Sequence, residues 1–67
     1  MDYDAAMNKL QNGKIVTRSS WSNGIYLILL HGINLIYMVY PSNTNNPVLA
    51  YICNVTDINA TDWQLVA

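Results

Sequence analysis

Tyr3, Ala6, Met7 and Leu10 fall at i, i+3, i+4 and i+7, the spacing of one apolar helical face. Asp2 or Asp4 can accept free backbone N–H groups at the helix start and suits the positive end of its dipole. Gly13 is placed to end the helix in a left-handed conformation, so a helix is predicted over residues 3 to 12. The pattern then changes. Lys14 to Arg18 carries β-branched Ile15, Val16 and Thr17 and reads as a strand. Ser19 to Gly24 is a polar loop ending in an Asn-Gly turn signal. Ile25 to Leu30 is a continuous apolar run, as expected of a strand covered on both faces. His31-Gly32 makes a short turn and Ile33 to Tyr40 the next strand. Pro41 to Pro47 is a loop bracketed by prolines, and Val48 to Cys53 a further strand. Thr56 can cap a helical turn over Asp57 to Thr61, with Asp57 in its first turn, before a closing strand Trp63 to Val66. The fold class is therefore α+β: an N-terminal helix packed on an antiparallel sheet of four to five strands, with a short C-terminal helical turn, in one domain over residues 1–67.

Composition adds a demand for association. Of 67 residues, 52% are hydrophobic and 10% charged, and a domain this small buries too little surface for a comfortable stability margin. Cys53 is the sole cysteine and His31 the sole histidine, so neither an internal disulfide nor a four-ligand zinc site is available; no cofactor is expected. A homo-oligomer that covers part of the apolar surface is the remaining device. The unpaired thiol fits a reducing, cytosolic setting. Net charge is −1 and the cations are only Lys9, Lys14 and Arg18, which excludes the basic patch that polymeric nucleic acid requires. A small anion needing one or two cations per subunit stays open. The apolar stretch Ile25 to Tyr40 is about 16 residues and contains His31, Gly32 and Asn34, short of a membrane span, and no basic segment precedes it as in a secretory signal. No membrane partner is expected.

No catalytic constellation emerges. His31 reads as a polar turn residue rather than a general base, having no second histidine for a metal pair. Cys53, at the end of an apolar strand with no cationic neighbour, reads as a small core hydrophobe. Asp57 and Asp62 read as terminal caps rather than a glycosidase pair. Two glycosylation sequons at Asn54 and Asn59 carry no weight without a signal peptide. Binding chemistry is better represented, in Arg18 to Gly24. Trp21 is the lone aromatic of a Ser, Asn and Gly run and can stack on a nucleobase; equally, it can fold back as a lid on a small core. Arg18 offers a fork for phosphate oxygens, and Ser19, Ser20, Ser22 and Asn23 offer hydroxyl and amide partners.

These residues resemble a known family. The series Tyr3, Ala6, Leu10, Gly13-Lys14, Arg18, Trp21 and Tyr26-Leu27 is similar, in order and spacing, to the opening of Thoeris anti-defence 2 domains. The tail Thr56-Asp57-Ile58-Asn59-Ala60-Thr61-Asp62-Trp63 resembles their closing Asp-hydrophobic-Leu-Ala-x-Asp-Trp pattern. The chain departs from the family in a shortened middle around Pro41 to Pro47, in Tyr51 where Trp is frequent, in Asn54 where Ser is frequent, and in Asn59 where Leu is frequent. The resemblance implies a phage protein acting in the cytoplasm of the infected bacterial host. It implies a homotetramer that sequesters a nucleotide immune signal between subunits without degrading it, namely cyclised ADP-ribose or, in some relatives, cyclic dinucleotides. In that reading Trp21 stacks on an adenine, Arg18 meets a pyrophosphate, and Asn23, Asn54 and Thr56 offer hydrogen bonds. The alternative is a protein-interaction module that inhibits a host protein through its apolar face.

Overall fold

The computed structural model describes every residue except 23 and 46. Helix α1 spans Tyr3–Gln11. Asp2 settles the choice of cap, since its carboxylate accepts from the Ala5 backbone N–H at 2.9 Å. Beyond the helix, Gly13 adopts φ +81°, the left-handed value that lets the chain turn back. The strands are β1 (Val16–Arg18), β2 (Tyr26–Leu30), β3 (Leu35–Val39), β4 (Val48–Ala50) and β5 (Trp63–Leu65), with a short helix α2 (Val55–Ile58) between the last two. They form one antiparallel sheet of order β4-β3-β2-β1-β5. The last strand therefore returns to pair with the first, and this return assembles the candidate site.

Register explains the core. Directly paired residues share a face and faces alternate along each strand. Val16 pairs with Leu27 on one side and Leu65 on the other, Leu27 with Met38, Met38 with Leu49, and Arg18 with Trp63. That face meets α1, where Ala6, Leu10, Val16, Leu27 and Trp63 form the fully buried cluster. The opposite face carries Tyr26, Ile28, Leu30, Leu35, Tyr37, Val39, Val48 and Ala50. Among the described residues no element packs on it, so Leu30 stays 43% and Leu35 50% exposed. The continuous apolar run of β2 is thus covered on one face only within this chain.

Four local expectations are corrected. The turn between β2 and β3 takes four residues, His31 to Asn34, rather than two, because Asn34 bends the chain at φ 55°. Strand β4 ends at Ala50, and Cys53 is exposed rather than a core hydrophobe, its sulfur 3.1 Å from the Tyr3 hydroxyl. Helix α2 starts earlier than expected and its cap is Asn54, which accepts from the Asp57 N–H at 2.9 Å; Thr56 lies inside the helix. Asp57 does fall in the first turn, but neither it nor Asp62 serves as a terminal cap, since both side chains turn to Arg18.

Candidate functional site

Arg18 ends β1 on the helix-covered face, where its side chain is only 12% exposed. A cation so placed needs partners, and the returning C-terminal segment supplies two. The guanidinium donates through Nη1 to Asp57 Oδ1 and through Nε to Asp62 Oδ1, each at 2.8 Å. Asp57 is itself buried and gathers two further donors: the Tyr51 hydroxyl at 2.7 Å and the Asn54 side-chain amide at 3.0 Å, both on Oδ2. Its neighbourhood is fully hydrogen-bonded. Burial and the bond to Asp57 together push the Tyr51 hydroxyl well above the ordinary tyrosine range, so it stays a donor. Asp62 is held down at about 2, first by Arg18 and then by Ser19 and Ser20.

Asp62 also organises the loop. Its Oδ2 accepts from the Ser19 hydroxyl and from the Ser20 backbone N–H at 3.1 Å each, while its carbonyl accepts from the Ser19 N–H. The Trp21 N–H then closes a turn on the Arg18 carbonyl at 3.1 Å. The loop is pinned at both its start and its tip, and Trp21 leaves it half-buried. Its ring meets Trp63 edge-on, with centroids 5.3 Å apart at 78°. Trp63 is the hub beneath: 1% exposed, edge-on to Tyr3 as well, and donating from Nε1 to the Asp57 carbonyl. Trp21 therefore leans on the core at one edge, as the lid reading expects, while still lining open space.

Trp21 borders two hollows. One hollow, of about 250 Å³, is bounded by Thr17, Arg18, Ser19, Trp21, Tyr26 and Gln64. The other, of about 360 Å³, is bounded by Trp21, Tyr40, Tyr51, Asn54 and Asp57 among others. Of the residues singled out in the sequence, Arg18 and Trp21 share the first hollow and Trp21 and Asn54 the second. Thr56 borders neither, standing exposed on α2. Asn23 lies outside the described residues.

The geometry and the order of elements can now be set beside known proteins. A family model for the Thoeris anti-defense 2-like domain matches residues 1–66. The chain belongs to that family. A search of curated proteins gave no match. Membership in the Thoeris anti-defense 2-like family supports a phage anti-defence role, and it covers the whole fold from α1 to β5. Within this Thoeris anti-defense 2-like chain, no helix is long and apolar enough to cross a membrane among the described residues. The Arg18–Asp57–Asp62 cluster, with Tyr51 attached, was missed in reading the sequence. The signal was the scarcity of charge: an arginine on an apolar strand, in a chain with four acids, has few possible partners.

Proposed function

We propose that this protein binds and sequesters a nucleotide-type immune signal, cyclised ADP-ribose or a cyclic dinucleotide, and releases it chemically unchanged. The observation that carries the reading is Trp21. It is an indole presented by a pinned polar loop and bordering two hollows, in a family of anti-defence domains. Stacking a base on such a ring contributes roughly 1–3 kcal/mol. Arg18 borders the first hollow and Asn54 the second, and both side chains meet on Asp57. Association into a homo-oligomer, a tetramer by family resemblance, is supported by the part of the uncovered sheet face beyond Tyr26: Ile28, Leu30, Leu35, Tyr37, Val39 and Val48 on three adjacent strands. Such a face has little charge to keep it in water.

Calorimetry with cyclised ADP-ribose and a panel of cyclic dinucleotides, followed by mass spectrometry of the recovered ligand, tests the reading. Heat from at least one ligand and an unaltered mass are expected. Silence across the panel, or a changed mass, removes it. Light scattering is expected to give a particle larger than 7.5 kDa, the mass of one chain. The same open face supports an alternative, an interaction module that inhibits a host protein. That reading predicts a stable complex with such a protein and indifference to nucleotides.

A further inference from the structure

We infer that the hollow bounded by Thr17, Ser19, Trp21, Tyr26 and Gln64 takes the uncharged nucleoside portion of the ligand and excludes its phosphates, with Gln64 and Tyr26 as direct contacts. This rests on the sequestration reading and assigns chemistry within it. The charge around the hollow decides the matter. Among the described residues Arg18 is its only cationic lining residue, and that charge is already met by Asp57 and Asp62 at 2.8 Å each. One cation against two carboxylates leaves a local excess of negative charge. A phosphate brought to the remaining Nη2 edge would face both carboxylates in a partly desolvated corner, where repulsion is poorly screened. Arg18 is thus a positioning residue: through Asp62 it holds the loop that presents Trp21.

The rest of the lining is neutral and suited to sugar and base. Gln64 stands on β5 opposite Thr17 on β1, and Tyr26 opens β2 on the same uncovered face. Among the described residues, the Gln64 amide, the Tyr26 hydroxyl and the Ser22 hydroxyl have no hydrogen-bond partner, whereas the Thr17 hydroxyl donates to the Ile25 carbonyl at 2.6 Å. An amide that both donates and accepts, a phenol, and the Ser22 hydroxyl match ribose hydroxyls and a base edge; the indole offers the flat surface. Strand ends and a return strand thus bring together groups that lie some forty residues apart in the chain.

Adenosine and inorganic pyrophosphate separate the two halves of the ligand. In ¹H–¹⁵N spectra, adenosine at millimolar concentration is expected to shift the Gln64 side-chain amide and Trp21 indole resonances, and pyrophosphate to leave both and the Arg18 Nε–H in place. With whichever cyclic signal binds the wild type, Gln64→Ala and Tyr26→Phe are each expected to weaken affinity roughly five- to tenfold, the loss of one hydrogen bond, at unchanged thermal midpoint. Pyrophosphate moving the Arg18 Nε–H, adenosine leaving Gln64 unmoved, or both variants binding as the wild type would overturn the assignment. Adenosine shifts with no heat from any cyclic signal would instead defeat the sequestration reading and leave the hollow's chemistry standing.

Discussion

Replacing Asp57 by alanine removes the acceptor on which three donors converge. Arg18 Nη1, the Tyr51 hydroxyl and the Asn54 amide lose their partner together, in a place only 5% exposed where water cannot readily substitute. Breaking one side of a buried ion pair costs roughly 3–5 kcal/mol. Arg18 retains Asp62, which pulls the figure toward the lower end, while the stranded Tyr51 hydroxyl adds about 1–3 kcal/mol. A loss of about 4–6 kcal/mol is therefore expected. A chain of 67 residues has a total stability of roughly 3–10 kcal/mol, so Asp57→Ala should leave it marginal or unfolded at room temperature. Urea titration followed by tryptophan fluorescence reads this directly, since Trp63 donates to the Asp57 carbonyl and Trp21 packs on Trp63. Tyr51→Phe provides the cross-check. It deletes one donor and keeps the ring, so it should cost roughly 1–2 kcal/mol. If Asp57→Ala unfolds at the wild-type urea midpoint, the cluster holds nothing together and the account of the site is wrong.

Three further outcomes follow from the same geometry. Asp62, held at about 2 against an ordinary 3.8, is depressed in the folded state, so its contribution is present above about pH 4 and lost as pH falls toward 2; an acid melt of Asp62→Asn should be flatter over that window than the wild type's. Asn54→Ala should cost about 2–3 kcal/mol by removing both the α2 cap and a donor to the buried Asp57, whereas Thr56→Ala should stay within about 0.5 kcal/mol, a contrast that thermal denaturation resolves. Gly13→Ala, forced to φ +81° with open space around the new methyl, should lose about 1–2 kcal/mol from backbone conformation alone, and Gly13→Asn less.

How far these features can be read from residue order depends on the distance over which they act. Helix α1 was legible because its apolar spacing, its Asp2 cap and its Gly13 stop are all local. The strands were legible in kind and imprecise at their ends. Strand β4 was expected to reach Cys53 because Tyr51-Ile52-Cys53 is apolar, yet Tyr51 is drawn to Asp57 and the chain turns into α2 behind it. The choice of Asn54 over Thr56 as cap was hidden for a related reason. Asn54 serves α2 with its oxygen and the buried Asp57 with its amide, and only the second bond, fixed by tertiary placement, singles it out.

The candidate site residues are half visible in the sequence for the same reason. A tryptophan in a run of serine, asparagine and glycine announces itself locally, and so does an arginine three residues before it. What that arginine touches does not, since its partners lie 39 and 44 residues away and meet it only because β5 returns beside β1. With those partners in place the arginine changes role, from an open phosphate fork to a satisfied cation that fixes a loop. The hollow beside it is lined instead by groups that no local pattern marks, such as an exposed glutamine on the edge strand and a tyrosine at the start of the next strand but one in the sheet. In a chain with three Lys and Arg and four Asp and Glu, placing an ion pair in the scaffold removes it from the pool available to ligands. On the proposed sequestration reading, a chain this poor in free charge would hold an anion chiefly through the anion's neutral parts, or with cations drawn from a second copy.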